Sequence, residues 1–133
     1  MKIAIVTDDG KTVCKHFGRA KNYLVVTIEN GIVIDRTMRE KMNHDHFAHG
    51  EQHEHGHGHV EEGASEASHQ KHTSMVQVIS DCEVLISGGM GTGAYLSLQQ
   101  LNIRPMVTDL EEINQVITKF ISGKLIDHPE LLH

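Results

Sequence analysis

The stretch 43–72 limits what this chain can fold into more than any other feature. It holds nine of the chain's twelve histidines, set among Glu, Gly, Ser and Ala, and its only large apolar side chains are Phe47 and Val60. No period of 2 or 3.6 runs through it, so it cannot bury enough surface to offset its own chain entropy. We therefore expect one domain over residues 1–133, interrupted by a flexible His-rich loop at 43–72. About 100 residues remain outside that loop, enough for one sheet with a few helices. Trp is absent and Phe and Tyr are few, so the core must rest on Ile, Val, Leu and Met.

Charge follows the same division. Asp45, Glu51, Glu54, Glu61, Glu62 and Glu66 face a single base, Lys71, so the loop carries most of the formal charge of −6. The rest of the chain is nearly neutral and has no Lys/Arg stripe to neutralise phosphates, which argues against nucleic acid as a partner. No apolar run approaches the ~20 residues that span a bilayer. Cys14 and Cys82 make neither a CxxC pair nor a disulfide framework, and no signal peptide is recognised, so a reduced cytoplasm is the expected setting.

The segment before the loop reads as three antiparallel strands. Residues 2–7 (KIAIVT) form a β-rich run that ends at Asp8-Asp9-Gly10, a turn signal. Residues 23–28 (YLVVTI) are apolar almost throughout, as in a strand covered on both faces. Asn30-Gly31 then supplies the dipeptide that a tight hairpin with positive φ prefers, and residues 32–39 return. After the loop the pattern alternates: a helix at 74–80, a strand at 83–87, a glycine loop at 88–93, a helix at 94–101 packing through Leu96, Leu98 and Leu101, and a strand at 105–108. A last helix covers 110–121, with Ile113, Val116, Ile117, Phe120 and Ile121 at helical spacing and Gly123 as its stop. The fold class is α/β: a single mixed five-stranded sheet in the order 3-2-1-4-5, with right-handed crossovers placing helices on its faces.

Three groups of residues carry candidate chemistry. His44, His46, His49, His53, His55, His57 and His59 lie in the loop with interspersed glycines. Neutral imidazoles there suit Ni²⁺, Zn²⁺ or Cu²⁺, held weakly and without selectivity; the glycines make a helical His pair improbable. The second group is Cys14-Lys15-His16-Phe17-Gly18-Arg19-Ala20. A soft thiolate and an imidazole beside Lys15 and Arg19 suit an anionic metal–sulfide centre, although Cys-x-His taken alone is a weak signal and fits a surface cysteine with a hydrogen-bonded loop histidine better. Phe17 is expected to anchor this loop while Gly18 allows a sharp backbone turn, leaving His16 exposed.

The third group is the loop GGMGTG at 88–93. Its Gly89, Gly91 and Gly93 amides lie ahead of a helix N-terminus, an arrangement that holds anions. The spacing Gly89-x-Gly91-x-x-Ala94, with Asp109 beyond the next strand, also matches a relaxed dinucleotide fingerprint. A dinucleotide-binding enzyme and a divalent-metal storage protein therefore stand beside a cluster binder. Asp8, Asp9, Asp35 and Asp109 raise a two-metal nuclease, but the first strand's interior carries no acid and turn chemistry explains Asp8-Asp9-Gly10.

Taken in order, MKIAIVTDD at 1–9, His16-Phe17-Gly18-Arg19-Ala20 with Tyr23, the histidine-rich middle, and LISGGMG at 85–91 resemble the dinitrogenase iron–molybdenum cofactor biosynthesis family. The likeness spans nearly the whole chain outside the loop. It implies a ribonuclease H-like topology without that enzyme's catalysis, and non-catalytic binding or carriage of an iron–sulfur or molybdenum-containing cluster. Cluster donor and acceptor proteins would be the partners. The resemblance makes His16 a candidate cluster contact, whereas Cys14 stands on its own chemistry. Members of the family also occur outside nitrogen fixation, so a cluster carrier is the broader expectation. Lys15, Arg19 and the glycine amides would stabilise the anion if the two loops meet at the C-terminal ends of adjacent parallel strands.

Overall fold

The computed structural model describes residues 1–41 and 75–132. The expected His-rich loop, with His44, His46, His49, His53, His55, His57 and His59, lies outside the described residues.

Five strands form one mixed sheet in the order β3-β2-β1-β4-β5. They are β1 (Lys2–Thr7), β2 (Asn22–Glu29), β3 (Ile32–Glu40), β4 (Val84–Ser87) and β5 (Arg104–Val107). β1, β2 and β3 pair antiparallel, while β4 lies parallel to both β1 and β5. The hairpin between β2 and β3 turns on Asn30 and Gly31, both at positive φ (54° and 76°), which matches the right-handed twist of the strands it joins. A register shift follows at Thr27/Ile28.

The central strand β1 shows why the sheet has two cores. Ala4 and Val6 join one buried cluster with Tyr23, Val25, Leu85 and Leu98. Ile3 and Ile5 join the other with Leu24, Val26, Ile86 and Val116. Alternation along a strand sends neighbours to opposite faces, and here both faces are covered. Helix α1 (Thr92–Gln100) and residues 75–82 build the first face, and helix α2 (Ile113–Ile121) the second.

Three expected elements differ in extent. Residues 75–77 are helical, but the chain then tightens into turns closed by Ile79 N–H to Val76 O and Cys82 N–H to Ile79 O, in place of a helix to residue 80. α1 begins two residues earlier than expected and packs through Ala94, Ser97 and Leu98; Leu96 is 57% exposed and Leu101 half-buried. α2 begins at Ile113 because residues 111–113 bond to the loop after β1: Val13 N–H donates to Glu111 O and Ile113 N–H to Lys11 O. Its Ile113, Val116 and Ile117 are buried, Phe120 is half-buried and Ile121 exposed. Gly123, at φ 75°, stands just past its end.

Candidate functional site at the ends of β1 and β4

The two candidate loops meet. Cys14 N–H donates to Val6 O (2.9 Å), so the chain after the Asp8–Lys11 turn folds back beside the end of β1. That turn is fixed by Asp9, whose carboxylate accepts from the amides of Lys11 and Thr12 (2.8 Å each). Those amide bonds hold the Asp9 carboxyl down at about 2. From there two backbone bonds stitch the first loop to the glycine loop: Gly88 N–H to Cys14 O and Phe17 N–H to Gly89 O, both 2.9 Å. Gly88 is the residue that permits this. A Cβ there would lie 3.0 Å from Cys14 O and 3.0 Å from Lys15 Cα, so only glycine lets the backbones approach this closely.

His16 ends its extended stretch as the residue before a 3₁₀ turn, Phe17–Arg19. Its carbonyl accepts from Arg19 N–H (3.1 Å) and Ala20 N–H (3.2 Å), and its side chain is exposed. Phe17 is buried and anchors the turn, as expected. Gly18 does not serve as a sharp left-handed turn: it sits inside the 3₁₀ turn without positive φ, and a Cβ there would meet nothing within 4 Å. Lys15 and Arg19 are exposed; the Lys15 ammonium stands 3.6 Å from the Glu111 carboxylate in a solvated pair that an anionic ligand could displace. The Cys14 thiol is half-buried, 3.5 Å from His16 O.

In the glycine loop, Gly91 caps α1 with no side-chain hydrogen bond, and Gly93 lies in the helix's first turn, where amides have no intrahelical acceptor. Gly89 has a different task. Its N–H donates to Ser87 Oγ (3.2 Å), and its carbonyl accepts from Ser87 Oγ (2.7 Å) and from Phe17 N–H. It stitches the loops instead of offering its amide outward.

Sequence reasoning missed three contributors: Gly88, Ser87 and Lys41. Lys41 is fully buried, and its ammonium donates to Phe17 O and to Ala20 O (3.1 Å) while lying 4.7 Å from the centre of the Phe17 ring. Burial lowers its pKa to about 8, against the opposing pull of Cys14 and Asp8. A single lysine at the end of a charged strand gives no sequence signal for this. Cys82, by contrast, is buried in the core, away from the two loops, and burial pushes its thiol up to about 12. Asp109, the acid of the dinucleotide reading, faces His128 Nε2 at 3.5 Å.

The family model for the dinitrogenase iron–molybdenum cofactor matches residues 1–123. The chain belongs to that family. Among curated proteins it is 26% identical over 127 residues to MJ0580, an uncharacterized protein of Methanocaldococcus jannaschii, covering 94% of this chain and 89% of that one. Among solved structures, PH0822 superposes with a TM-score of 0.68 at 24% identity, covering 98% of this chain and 99% of that chain. The apo form of the orange protein from Desulfovibrio gigas gives 0.64 at 22% identity, covering 96% and 92%. These two likenesses establish the shared five-stranded α/β fold.

The donor set sets the terms on which a metal–sulfur cluster could be held. Among the described residues no three His, Cys, Asp or Glu side chains converge as a metal site. Cys14 and His16 supply one soft and one borderline donor, Lys15, Arg19 and Lys41 supply positive charge, and the α1 N-terminus supplies amides. Among the described residues that chemistry could hold a preformed anionic cluster by few bonds and by electrostatics; it does not by itself close a site around a bare ion.

Proposed function

We propose that this protein binds and carries an anionic metal–sulfur cluster, iron–sulfur or molybdenum-containing, and catalyses no reaction of its own. The observation that carries this reading is the backbone stitching of the Cys14–Ala20 loop to the glycine loop at the C-terminal ends of β1 and β4. Open α/β sheets place ligands at such strand ends. Family membership supports a cofactor-related role, and the structure of the orange protein is described as an apo form.

In this reading the cluster is cargo. His16 and Cys14 offer ligating atoms, Lys15 and Arg19 neutralise its charge, and the amides of Gly91 and Gly93 face it from the helix N-terminus, while Gly89 holds the loops together. The histidines at 44–59 serve as an auxiliary, weak divalent-metal site. Cluster donor and acceptor proteins are the partners. No helix among the described residues is long and apolar enough to cross a membrane.

The test is anaerobic reconstitution with an iron–sulfur cluster or tetrathiomolybdate, read by visible absorption and metal analysis. His16→Ala should lose most of its cluster while stability changes by no more than ~0.5 kcal/mol, as for an exposed side chain. Cys14→Ser should lose an equal or smaller share. Full occupancy with an unchanged spectrum in His16→Ala would move the site elsewhere, and copurified nucleotide would favour the dinucleotide-binding enzyme. A colourless protein loaded with Ni or Zn would favour metal storage.

A further inference from the structure

Lys41 is the least expected buried group in this protein. It follows directly on β3, its N–H donating to Lys21 O (3.0 Å), and its side chain runs beneath the 3₁₀ turn that carries His16 and Arg19. Removing an ammonium from water costs several kcal/mol unless it is well partnered. Here the partners are two carbonyls and the face of Phe17, all belonging to one turn. A methionine would fill the same space without that cost. What it could not do is donate to Phe17 O and Ala20 O, the first carbonyl of the turn and the one just past its end.

The surrounding charges point the same way. The groups that act on the ammonium are Cys14 and Asp8. Asp8 in turn accepts from Lys21 N–H (2.8 Å), so the start of β2, the turn and Lys41 form one connected network. Cys14, Phe17 and Gly89 are joined to it through the bonds between the loops. Lys41, fully buried, therefore fastens the turn that carries His16 and Arg19, and through this network it is linked to the backbone of Cys14.

We propose that Lys41 is the positioning residue of the site: its ammonium fastens the Phe17 and Ala20 carbonyls from beneath, fixes the directions in which His16 and Arg19 leave the turn, and adds a buried cation behind an anionic cluster. This rests on the carrier reading for its ligand but not for its effect on the loop. Because it touches no ligand, its removal weakens binding through geometry and charge.

The test compares wild type, Lys41→Met and Lys41→Arg in the full chain, using tetrathiomolybdate uptake and amide NMR without ligand. Lys41→Met should weaken uptake by roughly tenfold or more, about 1.4 kcal/mol, and should shift and deprotect the amides of residues 16–20, while those of the β1–β2 ladder stay in place. Lys41→Arg, which keeps the charge and the donors, should recover most of the affinity. Unchanged amides at 16–20 together with affinity within twofold of wild type would overturn the proposal. If wild type takes up no tetrathiomolybdate, the carrier reading fails, and the ligand-free amides alone decide the role of Lys41: no faster exchange at Arg19 and Ala20 in Lys41→Met refutes it. If Lys41→Met does not fold, Lys41→Arg decides, because moving the donor nitrogens must move the resonances of residues 16–20, and their constancy refutes the proposal.

Discussion

Replacing Gly88 by alanine should separate the two loops of the site, and the size of the effect can be worked out atom by atom. The new Cβ would sit 3.0 Å from Cys14 O, 3.0 Å from Lys15 Cα and 3.4 Å from Lys15 Cγ. The first two are backbone atoms and cannot swing aside, so the loops must part by several tenths of an ångström. The two bonds joining them, Gly88 N–H to Cys14 O and Phe17 N–H to Gly89 O, lengthen together. Overpacking of this kind costs ~1–3 kcal/mol. It is offset by ~0.4–1 kcal/mol, because alanine restricts the unfolded chain.

The net expectation is a loss of about 1–2 kcal/mol, read as a lower urea midpoint at unchanged m-value. Gly18→Ala is the control. It lies in the same loop, its added Cβ meets nothing within 4 Å and its φ is not positive, so it should be neutral or slightly stabilising. Gly88→Ala should also bind tetrathiomolybdate more weakly, since it moves Cys14 and the glycine loop apart. If Gly88→Ala proves as stable as Gly18→Ala, the close approach is not a constraint and the stitched-loop account of the site is wrong.

Three further outcomes follow from the interior and the C-terminal tail. Tyr23→Phe removes the phenol that donates to Met75 O (2.8 Å) and with it a buried hydrogen bond, so thermal or urea unfolding should show a loss of ~1–2 kcal/mol. Glu130→Gln should bring the His128 pKa, now raised chiefly by its hydrogen bond to Glu130 and further by Asp109, back toward its ordinary value of 6.5 in an NMR titration; the ion pair stabilises the tail below that value and is lost as pH rises through the raised one. Lys41, depressed to about 8 from 10.5, makes the unfolded chain bind more protons above pH 8, so stability should rise between pH 8 and 9 by at most ~1.4 kcal/mol in wild type and not in Lys41→Met. Above pH 9 the raised Cys82 thiol opposes that rise.

Much of the fold was legible because its determinants are local. The apolar run at 23–28 reads as a strand covered on both sides, and Asn30-Gly31 carried the φ values of its turn in its own chemistry. Helix starts were less legible because tertiary bonds set them: Lys11 and Val13 hold residues 111–113 and delay α2. The site was half legible. Cys14, His16, Arg19 and the glycine run are unusual residues in an unusual order, and the backbones of their two loops do meet. Gly88 and Lys41 do not stand out in one dimension. The first matters through an approach between residues far apart in the chain, and the second through carbonyls that no sequence displays. Gly18 shows the converse error: a glycine in a suggestive place whose conformation any residue could adopt.

The uneven donor set also bears on why such a site would suit carriage. A site meant to keep a metal surrounds it with four ligands and excludes water. Here the two candidate ligands precede a short turn, His16 exposed and Cys14 half-buried, and in the carrier reading most of the remaining attraction is charge. Of the three cations, Lys15 and Arg19 lie in solvent, and the 3.6 Å pair of Lys15 with Glu111 is an exposed one that costs little to give up. Only Lys41 is fixed. An anionic cluster held in this way needs few bonds broken for transfer to an acceptor with more thiolates. The rigid part of the device is the mount beneath the ligands: the Gly88 contact, the Ser87–Gly89 turn and the Lys41 ammonium. Geometry can then be kept without making the hold on the cargo strong.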